Sequence, residues 1–68
     1  MYNPIISCRI IKGKLENTIR VKYHDGSTED LIKYCPDEIS FTKNELIKLT
    51  RDEALNLFRK KDFDYLMT

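Results

Sequence analysis

Tryptophan is absent from this 68-residue sequence, histidine occurs once, and glycine, proline and cysteine occur twice each. The shortages of histidine, glycine and cysteine each carry an exclusion. A lone His24 provides no pair of imidazoles for a zinc site, and beside a tight turn it has no group to orient it as a catalytic base. Its expected place is an exposed flank of that turn. Gly13 and Gly26 cannot make a Gly-rich loop that cradles phosphate. Cys8 and Cys35 allow one bridge at most, whereas disulfide-held domains of this size use several. Both are expected to be reduced and partly buried in a cytoplasmic protein. Apolar stretches such as Ile5-Ile6 and Ile10-Ile11 fall far short of the roughly 20 residues of a membrane-spanning helix. At the start, polar residues and Pro4 stand where the apolar part of a signal peptide belongs, so none is expected.

Charge of one sign is also lacking overall, with 12 Lys and Arg against 11 Asp and Glu for a net of +1. Such a balance argues against a surface built entirely to grip nucleic acid. The charges are nevertheless segregated. Residues 1–24 carry Arg9, Lys12, Lys14, Arg20 and Lys22 against Glu16 alone, a net of +4, and residues 25–68 carry seven bases against ten acids, a net of −3. The eight Ile and eight Lys fit an AT-rich bacterial or phage genome.

What is present is periodicity. Alternation over residues 5–12 predicts a strand with Ile6, Cys8 and Ile10 on its buried face. Gly13 supplies a turn, and residues 15–24 form the clearest period-two run, with Leu15, Ile19, Val21 and Tyr23 on one face and Arg20 and Lys22 on the other. Asp25-Gly26 then predicts a two-residue type I′ hairpin. In that register facing residues sum to 51, so Lys22 faces Glu29 and Ile19 faces Ile32. Asp30 falls opposite Val21, a mismatch that an edge position or a bulge relieves. Pro36 ends the third strand near Cys35.

Beyond Pro36 the period changes. Thr42 with Glu45 and Thr50 with Glu53 are capping boxes that predict helices over about 43–48 and 51–61. Ala54, Leu55, Leu57 and Phe58 stripe the second helix, and Arg59, Lys60 and Lys61 are placed to complement its C-terminal dipole. The 62–68 tail alternates weakly and is expected as a fourth strand or a docked extension. The fold class is therefore α+β: one compact domain over 1–68, a three- to four-stranded antiparallel β-meander (about 5–35) packed against a short helix and a longer C-terminal helix (about 42–61). The inward residues of the strands are expected to pack against Leu46, Leu55, Leu57 and Phe58.

No catalytic constellation, metal-ligand spacing or cofactor motif emerges. Cys8 sits in an apolar alternation, which favours a small core residue over a nucleophile. The run Asp25-Gly-Ser-Thr-Glu-Asp30 lacks the alternating carboxylates of a calcium loop. These features point to a small non-enzymatic module that binds another protein as an inhibitor or adaptor, with a homodimer as a further option. The expected contact residues are Arg9, Lys12, Lys14, Arg20 and Lys22 on the basic hairpin and Phe63, Tyr65 and Leu66 in the tail. The alternative is nucleic-acid binding by the basic hairpin, with Tyr2 or Tyr34 stacking on bases. Strand addition at an open sheet edge is a further mode of partner recognition.

Overall fold

The computed structural model describes residues 2–67. Strands β1 (Ile5–Lys12), β2 (Asn17–Tyr23) and β3 (Thr28–Tyr34) form one antiparallel sheet in the order β1-β2-β3, and helices α1 (Lys43–Leu46) and α2 (Arg51–Leu66) follow. α1 lies against β1 and α2 against β3. A molecule measuring 36 × 24 × 16 Å has room for two layers, so the sheet is covered on one face only.

Strand β2 is the straight axis of the sheet. Its odd-numbered residues Asn17, Ile19, Val21 and Tyr23 are buried, and Arg20 and Lys22 are exposed, as the alternation requires. Both neighbouring strands carry a bulge. In β1, Ile6 is an extra residue between the Ile5–Tyr23 and Ser7–Lys22 pairs. The expected Ile6, Cys8, Ile10 face is corrected accordingly: Ile5 is 1% exposed, Ile6 is 47% exposed, and Cys8 and Ile10 only partly enter the core. Leu15, expected on the inner face of β2, lies in the connecting turn, 87% exposed. Gly13 is fixed by that turn, where an added Cβ would clash with the Glu16 carbonyl oxygen.

The second hairpin also differs from the two-residue type I′ turn. The Gly26 N–H donates to the Tyr23 carbonyl (2.9 Å) and the Tyr23 N–H to the Ser27 carbonyl (2.9 Å), which closes a three-residue loop over His24, Asp25 and Gly26. Of these three residues only Gly26 has positive φ (92°), so the turn is a type I turn followed by a glycine bulge. Asp25 Oδ1 accepts from the Ser27 hydroxyl (2.6 Å) and N–H (2.8 Å), which holds the Asp25 carboxyl below its usual range. The extra loop residue shifts the pairing by one. Near the turn, Lys22 pairs with Thr28, Val21 with Glu29 and Arg20 with Asp30; beyond the bulge at Leu31, Ile19 pairs with Ile32 as expected. The predicted Lys22–Glu29 pair is therefore not formed. The bulge removes the Asp30–Val21 mismatch by placing Asp30 beside Arg20.

The core joins Ile5, Ile19, Val21, Tyr23, Ile32 and Tyr34 of the sheet to Phe41, Leu46 and Ala54, with Leu49, Leu55, Leu57 and Phe58 packed around them. Phe41 stacks edge-on against Tyr34 (centroids 5.1 Å apart) and lies 6.1 Å from Phe58. Asn17 donates to the Tyr34 hydroxyl (3.4 Å), and no buried side-chain polar atom among the described residues lacks a partner.

Helix α1 stops two residues short of its expected end because Ile47 turns extended and Lys48 takes φ 78°. The Leu49 N–H closes this type II turn on the Leu46 carbonyl (3.1 Å). Ile5 then pairs with the turn twice, donating to the Leu49 carbonyl (2.7 Å) and accepting from the Lys48 N–H (2.8 Å). Helix α2 opens on the Thr50–Glu53 capping box and runs five residues past its expected end. No fourth strand forms among the described residues, and Thr68 lies outside them. Residues 61–66 contain neither glycine nor proline, so an established helix propagates through their weak alternation. Arg59, Lys60 and Lys61 consequently sit inside α2, and its last turn holds no base.

Glu45 fastens α2 from the side. Its carboxylate accepts from the Thr42 N–H (2.8 Å) and from Lys61 Nζ (2.9 Å), while Lys61 also lies 4.9 Å from the Phe41 ring centre. Partial burial raises the Glu45 pKa, but the Thr42 and Lys61 hydrogen bonds outweigh it and hold the carboxyl below its ordinary value of 4.5.

Two predictions follow from this geometry. Lys48→Gly leaves stability unchanged or raises it by up to about 1 kcal/mol in urea unfolding, because a side chain at positive φ costs more than glycine's extra chain entropy. Lys48→Val, β-branched, costs about 1 kcal/mol or more. Glu45→Gln keeps a capping acceptor but loses the charge opposite Lys61. It costs about 0.5–1 kcal/mol at pH 7. A lowered folded-state pKa contributes stability above the unfolded value and loses it as pH falls, so the gap between wild type and variant narrows progressively when urea melts are repeated at decreasing pH below 4.5.

Candidate functional site

The uncovered face of the sheet gathers most of the basic residues singled out from sequence. Parity along β1 and β2 sends Ser7, Arg9 and Ile11 outward beside Lys22, Arg20 and Thr18. On β3 the same face carries Thr28, Asp30 and Lys33. Four cations, Arg9, Arg20, Lys22 and Lys33, thus share a surface with one carboxylate, Asp30. Among the described residues only Arg20 of these four forms an ion pair. Its Nε donates to Asp30 Oδ1 (2.7 Å) and its second contact reaches Oδ2 (3.4 Å), a bidentate geometry that raises the Arg20 pKa and lowers that of Asp30. A shallow basin of about 480 Å³ runs among Ser7, Arg9, Arg20, Lys22 and Thr28 and reaches Lys43 of α1.

Arg9 stands directly across from Arg20 in the β1–β2 ladder. Like charges facing each other on adjacent strands destabilise a sheet. Asp30 already holds the Arg20 guanidinium from the other side, so Arg9 adds uncompensated positive potential along the β1 side of an exposed face.

The remaining sequence candidates separate. Lys12, at the end of β1, shares the parity of Cys8 and Ile10 and so falls on the helix side of the sheet, and Lys14 is exposed in the following turn. Neither joins Arg9, Arg20 and Lys22. Phe63 and Leu66 lie on the far half of α2, 61% and 70% exposed. Tyr65 faces a different way, beside Glu38, Ile39, Ser40 and Lys61. Tyr34 is 6% exposed and is thereby removed as a base-stacking platform, whereas Tyr2 is exposed and donates to the Lys48 carbonyl (3.3 Å), away from the basic face. Lys33 was missed, although the 51-sum register already placed it opposite Thr18 and therefore on the Arg20 face.

Cys8 is half-buried, and its thiol donates to the Lys43 carbonyl (3.5 Å). Burial raises its pKa, with Lys43 opposing, which leaves it a poor nucleophile. Cys35 is exposed rather than partly buried, because it follows the last ladder residue Tyr34. No group of three or more His, Cys, Asp or Glu among the described residues is arranged to hold a metal ion. Glu29, inward at the end of β3, accepts from the Tyr23 hydroxyl and from Arg51 Nε (2.9 Å). Burial and the adjacent Glu29 charge push the Tyr23 hydroxyl pKa upward, so this trio is a clamp between β3 and the start of α2.

The Arg9–Arg20 juxtaposition is measurable. Arg9→Glu converts a repulsive cross-strand pair into an attractive one and raises the thermal midpoint by about 1–5 °C at low salt, an effect that shrinks in 1 M NaCl. No family model matches this chain, and no curated protein or solved structure is significantly similar to it.

Proposed function

We propose that this protein is a small non-enzymatic binding module that engages an acidic surface of another protein through the uncovered sheet face and modulates that partner as an inhibitor or adaptor. The observation that carries the reading is the unneutralised Arg9 and Lys22 flanking the Arg20–Asp30 pair on a face that no other element covers. Arginines are enriched at the centres of protein interfaces because the planar guanidinium binds carboxylates bidentately. Ile11, 36% exposed on the same face, adds apolar contact area.

Protein is favoured over nucleic acid by what shares the face with the cations. Sequence-independent single-strand binding combines a basic groove with aromatic platforms, and none of the outward residues of the three strands is aromatic. The Arg20–Asp30 pair also breaks up the cations, so that Arg9, Lys22 and Lys33 stand around it singly and not in the continuous row that tracks a phosphate backbone, an arrangement suited to separate carboxylates of a protein partner. The bulges in β1 and β3 disturb both outer strands, which disfavours strand addition and leaves the face as the docking element.

The test is affinity capture from nuclease-treated lysate with wild type and with the Arg9→Glu, Lys22→Glu double variant. The expected result is a discrete protein retained by wild type at 150 mM salt and lost with the variant. Capture from a parallel untreated lysate that is lost on nuclease treatment, or a DNA or RNA mobility shift that weakens steeply with salt and disappears in the variant, would establish nucleic acid as the ligand instead.

A further inference from the structure

Carboxylates line the cavities elsewhere on the surface: Glu16, Glu38 and Asp62 beside Cys35, Asp52 beside Arg51, and Glu38 with Asp64 beside Tyr65. The basin on the uncovered sheet face differs. Among the described residues its walls hold four bases, Arg9, Arg20, Lys22 and Lys43, the hydroxyls of Ser7 and Thr28, and no acid.

The ladder explains how these groups meet. Ser7, Lys22 and Thr28 form one outward row across the three strands, and Arg9 and Arg20 stand in the next. Lys22 is thus flanked by a hydroxyl on each side, and Arg9 is its diagonal neighbour, about 7–8 Å away along the sheet. Lys43 comes from a third element: its carbonyl accepts from the Cys8 thiol (3.5 Å), which fixes the start of α1 beside β1. Arg9, Lys22 and Lys43 have no acidic partner among the described residues. Asp30 engages Nε and one terminal nitrogen of Arg20 and leaves the other terminal nitrogen to the basin.

We infer that the basin receives a phosphate monoester carried on a side chain of the protein partner, bridged by Arg9, Lys22 and Lys43, with the Ser7 and Thr28 hydroxyls donating to its oxygens. The inference rests on the reading of this face as a protein-binding surface and narrows the acidic partner to a phosphorylated one. A carboxylate brings one charge and two oxygens, too little for donors arriving from β1, β2 and α1 together. A phosphate monoester brings a charge of about −2 and three strong acceptor oxygens, which such a convergence satisfies. Nucleic acid presents a run of phosphates, and the basin has room for one: beyond it along the sheet lie Asp30 on β3 and the uncharged Ile11 and Thr18 on β1 and β2.

Two blocked peptides of nearly equal charge test this, one with phosphoserine between two pairs of glutamates and the other hexaglutamate. In amide NMR titrations of the wild type, the phosphopeptide is expected to bind about tenfold tighter, the worth of one further charge-assisted hydrogen bond, and to shift the signals of Ser7, Lys22, Thr28 and Lys43. Lys22→Gln and Lys43→Gln each bring the ratio of affinities toward one, whereas Lys33→Gln, outside the basin, leaves it unchanged. Equal affinities for the two peptides on the wild-type face, or a preference that survives both Lys22→Gln and Lys43→Gln, would overturn the inference and leave the protein-binding reading standing. Absence of any shift on this face with either peptide at about 10 mM would overturn both. Tighter binding of a single-stranded DNA of the same charge than of the phosphopeptide would overturn both in favour of nucleic acid.

Discussion

The two backbone hydrogen bonds between Ile5 and the Lys48–Leu49 turn are the constraint on which the remaining architecture depends. They join the first strand to the link between the helices, residues more than forty positions apart. Closing so long a loop is costly in chain entropy, and the cost is met here at one site where both polar groups of one residue are satisfied. Two local irregularities make the contact possible. The Ile6 bulge turns the Ile5 side chain into the core, and positive φ at Lys48 reverses the chain within one turn. With the link anchored there, α1 lies along β1 and α2 is sent toward β3, where the Glu29–Arg51 pair holds it, while Glu45–Lys61 ties it to α1.

That anchoring determines which surfaces are left over. Both helices are committed to one side of the sheet, so Arg9, Arg20, Lys22 and Lys33 have no protein above them. The near-zero net charge of the chain conceals this, because all but one of the balancing carboxylates lie off this face, and four of them have structural duties. Glu29 and Glu45 hold α2, Asp25 shapes a turn, and Glu53 caps a helix. Only Asp30 is left on the basic face. A sheet whose carboxylates are drawn off to structural duties presents a stronger positive field than its composition suggests.

The legible parts of the sequence were those governed by short-range chemistry. Strict alternation identified β2, and Pro36 marked the end of β3. The two Thr-x-x-Glu boxes located the starts of α1 and α2, because a cap is a hydrogen bond between residues three apart. The parity of β2 was enough to put Arg20 and Lys22 on one face. What escaped depends on contacts remote in sequence or on one-residue choices of small energy. Asp25-Gly26 suits a two-residue and a three-residue loop almost equally, and the difference moves every nearby pair by one. The choice replaced Lys22–Glu29 with Arg20–Asp30. Ile5 and Ile6 are chemically identical, so nothing local says which one turns inward; the bulge answers to Leu49, distant along the chain. The end of α2 carried no stop signal, and its real length emerged only when Asp62–Leu66 proved to continue the helix.

The length of α2 gives the molecule two independent outer surfaces. The basic face lies on one side of a two-layer structure, and the Phe63 stripe points away from the sheet on the other. The two surfaces are independent because Ala54, Phe58 and Lys61 keep the inward side of α2 occupied whatever its outward side contacts. A substitution at Phe63, Leu66 or Met67 therefore leaves the sheet and its basic face in place, and one at Arg9 or Lys22 leaves the packing of the helix in place.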